Sequence, residues 1–165
     1  MRKVTNMNRR ILWKSAGLLS LAAIISRGHA ETAGNFEISL KPEEWQKKLS
    51  PEAYAVLREE ATERPFTSAL LDEKREGNFA CAGCDLPLYP SFAKYDSGTG
   101  WPSFYEALPK AVGTKEDNTL FTTRVECHCS RCGGHMGHIF DDGPQPTGKR
   151  HCINGVSLVF QPKTA

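Results

Sequence analysis

The chain has 165 residues, of which 39% are hydrophobic and 24% charged, and its formal net charge is +2. This length and composition are typical of one globular domain with a hydrophobic core and argue against a disordered or repetitive chain. Residues 1–30 hold six basic and no acidic residues, so the remainder carries 15 basic and 19 acidic residues, a net charge of −4. A mildly acidic body without a basic stripe argues against a nucleic-acid-binding protein.

The first 30 residues have the pattern of an export signal. Basic residues precede the apolar stretch AGLLSLAAII (16–25), and small residues suit cleavage after Ala30. Ten apolar residues span about 15 Å as a helix, too short for a hydrocarbon core of roughly 30 Å, so an uncleaved membrane anchor is the weaker alternative. The apolar stretch and the small residues at its end also argue against a disordered basic tail. The pair Arg9–Arg10 in NRRILWK indicates the twin-arginine route, which exports folded proteins. We therefore predict a protein that the export machinery delivers to the bacterial periplasm.

Residues 31–41 are predicted to be an extended linker, followed by one domain over 42–163. Within 41–62 we expect two short helices, because Ser50 can cap a helix whose first residue is Pro51. Tyr54, Leu57 and Ala61 recur at helical spacing and are expected to face the core.

Beyond residue 68 the chain is rich in glycine, proline and short β-type segments. We expect strands in LPLY (86–89), LFTTRVEC (120–127) and VSLVFQ (156–161), with the alternation of Phe121, Thr123 and Val125 typical of a half-buried strand. Helices first and antiparallel strands afterwards indicate a mainly β fold of the α+β class.

Two CxxC pairs, formed by Cys81 with Cys84 and by Cys129 with Cys132, favour a structural zinc site. Two such turns supply the four thiolates of a tetrahedral zinc ion, and a site closed in this way leaves no position for a substrate. Two disulfides or one redox-active CxxC are the alternatives, since exported proteins form disulfides. A disulfide within a CxxC closes a short loop and gains little entropy, which favours zinc stapling the β structure.

Cys127 and Cys152 remain, and an unpaired cysteine is most often a small buried apolar residue. Cys152 follows Arg150 and His151, and a nearby cation lowers the pKa of a thiol. Asn154 would share a strand face with Cys152. His135 and His138 could supply a proton, although core histidines or metal ligands have the same spacing.

At this point the sequence resembles the B-type methionine sulfoxide reductases, which act on the R epimer of the sulfoxide. The resemblance runs from about residue 42 to 162. It rests on the order and spacing of ERPFTS, CAGCDLPLYPS, KYDSGTGWPSF, CSRCGGHMGHIFDDGP, PTG and RHCINGVSL. The family fold consists of two small antiparallel sheets with N-terminal helices, and many members hold zinc on the two CxxC pairs.

The resemblance implies a role for each site residue. Cys152 would attack the sulfoxide sulfur and become a sulfenic acid. His138, helped by His135, would protonate the oxygen, with Asn154 among the polar groups around it. Trp101 would receive the S-methyl group, and Arg150 would lie near the nucleophile. Oxidised proteins or peptides are the implied substrates, and a monomer is expected.

The sequence departs from the family at three positions. Thr99 stands where many members have the cysteine that resolves the sulfenic acid. Cys127 could resolve it instead, but the favoured interpretation is a buried strand residue, with a thioredoxin-like or other external thiol as reductant. His151 replaces a common tyrosine and, as a strand neighbour of Cys152, is expected to point to the opposite face. The rival hypotheses are a zinc-stapled binding module and a general CxxC thiol oxidoreductase.

Overall fold

The computed structural model describes residues 36–119 and 122–164. The predicted export signal over 1–30 lies outside these residues. Within them, no helix is long and apolar enough to cross a membrane. Residues 36–41, expected to form a linker, contain no helix or strand, but the amide of Ile38 donates to the carbonyl of Arg131 at 3.1 Å. Ile38 and Leu40 also pack against the core, so this segment lies along the domain.

The two predicted helices are present as α1 (Pro42–Lys48) and α2 (Pro51–Glu59). Ser50 caps α2 by accepting a hydrogen bond from the amide of Ala53 at 3.1 Å, as its position before Pro51 predicts. Leu57 is buried, whereas Tyr54 is half-buried. The expectation that Ala61 continues the buried helical face is wrong, because Glu60 adopts a left-handed conformation that ends the helix before it.

Nine strands follow the helices in the part of the chain that the structure describes. Their bounds are β1 Gly77–Cys81, β2 Pro87–Pro90, β3 Lys94–Tyr95, β4 Ser103–Phe104, β5 Val112–Asp117, β6 Arg124–Cys129, β7 His135–Phe140, β8 Arg150–Ile153 and β9 Leu158–Pro162. They form a three-stranded sheet in the order β2-β1-β9 and a six-stranded sheet in the order β3-β4-β8-β7-β6-β5, with neighbouring strands antiparallel. The predicted mainly β fold with two antiparallel sheets and short N-terminal helices is confirmed.

The third predicted strand differs in detail. β6 begins at Arg124, so Thr122 and Thr123 precede it, and residues 120–121 lie outside the described part of the chain. Val125 has the parity of Cys127 and Cys129, yet it is 42% exposed while both cysteines are fully buried. The expected inward alternation of Val125 is therefore wrong, because the core covers the end of β6 and not its beginning.

The core forms where the helices and the two sheets meet. Trp45 of α1 and Leu57 of α2 pack in one buried cluster with Phe79, Tyr89 and Phe104. The rings of Tyr89 and Phe104 are stacked with centroids 4.4 Å apart, and Phe79 meets Phe104 edge-on at 5.1 Å. These contacts hold the second sheet in place, and its opposite face carries most of the predicted site residues.

Candidate active site

A row of polar residues crosses the six-stranded sheet and contains Cys152. Cys152 on β8 is opposite Ser103 on β4 and opposite His138 on β7. His138 is in turn opposite Glu126 on β6. Because directly opposed residues of antiparallel strands project to the same face, the row places the thiol beside an imidazole.

An irregularity in β7 brings the second histidine to the same face. The register shifts between Cys127 and His128, so His135 is opposite His128 although His138 is opposite Glu126. A β-bulge of this kind changes the alternation of side chains along a strand. Nδ1 of His135 lies 3.0 Å from the carboxylate of Glu126, and the two histidine rings are 5.5 Å apart. His135 thus supports the site from behind His138.

A cavity of about 150 Å³ opens beside Cys152. Its lining residues are Thr62, Trp101, Arg124, Gly137, His138, Phe140, Cys152 and Asn154. A larger cavity of about 300 Å³ is also lined by Trp101, but among the described residues neither Cys152 nor a histidine lines it. The smaller cavity is therefore the candidate active site, since it joins a nucleophile, an imidazole and an indole.

Burial dominates the ionisation of Cys152. Desolvation raises the pKa of the half-buried thiol, and the nearby charge of Arg150 lowers this pKa by a smaller amount. Asp142 holds Arg150 through two bonds of 2.8 and 2.9 Å and shares its charge. Arg150 therefore acts in the expected direction, but burial outweighs it and the pKa of Cys152 is raised overall.

His138 is held by a carboxylate that sequence reasoning missed. Its Nε2 donates to Asp117 at 2.7 Å, and Arg124 also donates to Asp117 at 2.6 Å. Burial lowers the pKa of His138, and the bond to Asp117 acts in the opposite direction. The pKa of Asp117 is itself held well below its usual range, chiefly by hydrogen bonds from Thr119. An ionised carboxylate fixes the ring of His138 and favours its protonated form.

A loop residue that sequence reasoning also missed, Glu63, orients two cavity residues. The indole of Trp101 donates to the carbonyl of Glu63 at 2.9 Å. The amide of Glu63 donates to the side-chain oxygen of Asn154 at 2.9 Å, and the Asn154 amide group donates to the carbonyl of Met136 at 3.0 Å. Asn154 lines the cavity, but its carboxamide is bonded to backbone groups on both sides, which ties the Glu63 loop to β7.

His151 and Cys127 lie on the core side of the sheet. Cys127 is opposite Gly137, which is opposite Ile153, so Cys127 shares its face with Ile153 rather than with Cys152. Cys127 is fully buried with its Sγ 3.3 Å from the hydroxyl of Tyr89, and that hydroxyl lies 3.2 Å from Nδ1 of His151. Burial raises the pKa of Cys127 to about 12. The structure therefore keeps the Cys127 and Cys152 thiols on opposite faces.

The four CxxC sulfurs form a single cluster. Their Sγ atoms lie within 4.8 Å of one another, with separations of 3.7 Å for Cys81–Cys132 and 3.5 Å for Cys84–Cys129. Four sulfurs at 2.3 Å from a tetrahedral zinc ion would be about 3.8 Å apart, so the residues fit that metal. Cys81 ends β1 and Cys129 ends β6, so a bound ion would connect the two sheets. In the described chain all six cysteines are free thiols.

Residues 49–162 match the family model described as the SelR domain. This chain belongs to the SelR domain family. The chain is 52% identical over 132 residues to the peptide methionine sulfoxide reductase MsrB of Leifsonia xyli, covering 79% of this chain and 95% of that protein. It is 54% identical over 120 residues to the protein of the same name from Methanosarcina barkeri, covering 72% and 84%. It is 46% identical to peptide methionine sulfoxide reductase B1, chloroplastic, of Arabidopsis thaliana, covering 78% and 64%.

Most of the predicted site residues of this SelR domain come together at one cavity. Trp101, His138, Cys152 and Asn154 line it, while His135 lies behind it and Arg150 is held by Asp142. The residues missed from the sequence, namely Glu63, Asp117 and Arg124, come from a loop and from the β5–β6 hairpin. The sequence did offer one signal for Asp117 and Arg124: they have opposite charges and are directly opposed in the β5–β6 hairpin.

Proposed function

We propose that this protein reduces the R epimer of methionine sulfoxide in peptides and proteins to methionine, with Cys152 as the nucleophile. The observation that carries this proposal is the cavity in which a half-buried thiol, the imidazole of His138 and the indole of Trp101 converge. The name of the relatives, peptide methionine sulfoxide reductase MsrB, supports the reduction of methionine sulfoxide.

The proposed chemistry uses two sides of the cavity. A sulfoxide sulfur becomes electrophilic when its oxygen is protonated, so the site needs a thiolate and an acid together. The Cys152 thiolate attacks the sulfoxide sulfur and forms an S–S bond while His138 gives its proton to the oxygen. The oxygen then moves to Cys152: a Cys152 S–O bond forms as the substrate S–O bond and the S–S bond break, and methionine leaves. The oxygen remains on Cys152 as a sulfenic acid. The cysteine thereby loses the two electrons that the sulfoxide gains.

Recognition of the R epimer requires three fixed groups around one sulfur. Trp101 would contact the S-methyl group, and Glu63 fixes the indole by accepting its N–H. The protonated His138 would bind the oxygen, with Arg124 also at the cavity wall. The polypeptide chain of the substrate would leave through the open side of the cavity. Exchanging methyl and oxygen, as in the S epimer, would place a methyl group against the charged wall.

Recycling of the sulfenic acid is proposed to use an external thiol. Thr99 Oγ1 lies 3.9 Å from the sulfur of Cys152, so a hydroxyl occupies the place where a resolving cysteine would act. Cys127 is buried on the opposite face of the sheet, which argues against the internal route. A thiol of a thioredoxin-like or smaller reductant would attack the Cys152 sulfenic acid, release water and leave a mixed disulfide.

Zinc on Cys81, Cys84, Cys129 and Cys132 is proposed to be structural. When bound, the ion would staple the two sheets and supply no chemistry to the substrate. This clustering also counts against the thiol-oxidoreductase alternative, because the nearest sulfur pairs join different CxxC motifs. The binding-module alternative leaves the convergence of Cys152, His138 and Trp101 without an explanation.

Export through the twin-arginine route, a periplasmic location and a monomeric state complete the proposal. The support is the basic, apolar and small-residue pattern of residues 1–30 and the Arg9–Arg10 pair. Replacing Arg9 and Arg10 by lysine should retain the precursor in the cytoplasm. Fractionation that finds the doubly substituted protein still exported would argue for a different route.

The decisive experiment compares Cys152→Ser with Cys84→Ser. Cys152→Ser should abolish reduction of the R-sulfoxide while zinc content and the circular dichroism spectrum stay unchanged. Cys84→Ser should release zinc and weaken the fold. Loss of turnover in Cys84→Ser with intact fold and full activity in Cys152→Ser would instead support a CxxC oxidoreductase. The S-sulfoxide serves as the matched control substrate and should not react.

Mass spectrometry after one turnover without reductant tests the recycling route. A sulfenic acid at Cys152, trapped with dimedone, is expected in the native sequence and in Cys127→Ala alike. A disulfide between Cys127 and Cys152 would overturn the external route.

A further inference from the structure

Three hydroxyl groups form a chain that ends at the sulfur of Cys152. Thr99 Oγ1 lies 3.9 Å from Cys152 Sγ and 2.8 Å from Ser97 Oγ. Ser97 Oγ lies 2.7 Å from Ser103 Oγ. Ser103 is fully buried, and its hydroxyl lies 3.1 Å from the backbone carbonyl of Trp101. The chain therefore runs from the reactive sulfur to a group that can only accept a hydrogen bond.

Counting protons along this chain fixes its direction. Each hydroxyl has one proton to donate, whereas a carbonyl has none. When all four contacts are made at once, Ser103 donates to the Trp101 carbonyl, so Ser97 donates to Ser103 and Thr99 donates to Ser97. Thr99 then has only lone pairs to offer Cys152. The hydroxyl nearest the nucleophile accepts a proton from the thiol and does not donate one to the thiolate.

We propose that the Ser103–Ser97–Thr99 chain is a positioning network that holds Cys152 as a thiol in the resting protein. Formation of the thiolate then requires the Thr99 hydroxyl to turn from Ser97 to the sulfur. Ser97 keeps a donor after this turn, because the amide of Thr99 lies 3.5 Å from its oxygen. This network deepens the proposed function, on which its catalytic meaning rests.

A thiol at rest has a chemical advantage in this chain. The thiolate, not the thiol, is the form that oxidants attack, and oxidation beyond the sulfenic acid is irreversible for most proteins. Thr99 replaces the nearby cysteine that could trap a sulfenic acid as a disulfide. Holding the proton on Cys152 between turnovers limits oxidation that no internal cysteine would repair.

Other titratable and charged groups also face Cys152. Arg150 lies on the same strand with Asp142 as its partner, His138 projects from β7, and Arg124 from β6 lines the same cavity. Tyr95 on β3 is opposite Ser103 and belongs to the same row. These groups are the same in the native sequence and in Ser97→Ala. They therefore contribute to the pKa of Cys152 in both proteins, but they do not decide whether the substitution raises or lowers this pKa.

The test is the Cys152 pKa in Ser97→Ala, measured from the pH dependence of iodoacetamide alkylation and assigned to Cys152 by mass spectrometry. Without Ser97 the hydroxyl of Thr99 is free to donate to the thiolate. The pKa should fall by roughly 0.5 to 1 unit, the three- to tenfold change expected when one competing neutral hydrogen bond is removed. Ser91→Ala, which removes a hydroxyl that binds the amide of Gly77, is the matched control and should leave the pKa unchanged.

Two further variants keep the test decisive. In Thr99→Val, adding Ser97→Ala should have no effect, because the coupling passes through the Thr99 hydroxyl. Ser103→Ala should lower the pKa as Ser97→Ala does, since Ser97 is then free to donate to Thr99. A raised pKa in Ser97→Ala would mean that Thr99 already donates to Cys152 and would overturn the proposal, as would an unchanged pKa. The alkylation readout does not depend on sulfoxide reduction, so failure here is separable from failure of the proposed function.

Discussion

Replacing Asp117 with asparagine should move the acid limb of the pH–activity profile. Nε2 of His138 donates to the Asp117 carboxylate at 2.7 Å, and both side chains are largely buried, with 14% and 11% exposed. Asparagine keeps the size of the side chain but removes the charge that favours imidazolium. The positive charge of Arg124, which Asp117 binds at 2.6 Å, then acts on His138 without a counter-ion.

The magnitude follows from the strength of this contact. A hydrogen bond to a charged group contributes about 1.5–3 kcal/mol, which corresponds to roughly one to two pKa units. Asp117 also binds Thr119 and Arg124, so we expect the lower end, a fall of about one unit in the pKa of His138.

The direction depends on which group controls each limb. Burial lowers the pKa of His138 and raises that of Cys152, so between these values most molecules hold a thiol and a neutral imidazole. The reactive thiolate–imidazolium pair is a minor form with the same number of protons. The acid limb of the bell therefore belongs to His138 and the alkaline limb to Cys152. Lowering the pKa of His138 by about one unit shifts the acid limb down by one unit and lowers plateau kcat/KM about tenfold.

The assay is R-sulfoxide reduction in a constant-ionic-strength buffer series between about pH 4 and pH 10, a range that spans imidazole and thiol titration. Asp141→Asn, which changes an exposed carboxylate paired with Lys149, is the matched control and should leave both limbs in place. An acid limb that stays in place in Asp117→Asn, or moves to higher pH, would refute the assignment of His138 as the acid.

Two further predictions concern stability and the metal. Burial lowers the pKa of His151 to about 4 in the folded protein, whereas in the unfolded chain this histidine binds a proton below about pH 6.5. The free energy of unfolding should therefore fall as the pH drops from about 6.5 towards 4. Urea unfolding at pH 7 and pH 5 should show a loss of roughly 2 kcal/mol that is absent from His151→Gln, and equal losses in both proteins would contradict the cause. Arg58 donates to Sγ of Cys132 at 3.3 Å and lies 4.0 Å from the ring of Trp45, so Arg58→Met should speed zinc transfer to a chelator about tenfold. The exposed Arg75→Met is the control, and identical release rates for the two variants would show that Arg58 does not stabilise the site.

The local features of this fold could be predicted because neighbouring residues produce them. Ser50 before Pro51 sets the beginning of α2 through a bond within one turn. Each CxxC places two sulfurs on one tight turn, and the two pairs need only meet to form the four-sulfur cluster. His151 faces away from the site because successive side chains of a strand alternate.

Tertiary structure decided what depends on distant segments. Asp117 reaches His138 only because β5, β6 and β7 are neighbours in one sheet, and Glu63 orients Trp101 across 38 positions of sequence. The alternation within β7 would separate His135 from His138, and only the bulge opposite Cys127 and His128 brings both to Glu126.

The sequence by itself indicated which residues are chemically able to act: Cys152, one of two cysteines outside the CxxC pairs, near Arg150 and Asn154, together with His135, His138 and Trp101. Only the tertiary structure decided their charge states, because the pKa of a group depends on burial and on partners from other strands. Cys152 lies two residues after Arg150 in sequence, yet its pKa is raised, since the desolvation created by packing exceeds the effect of that one charge.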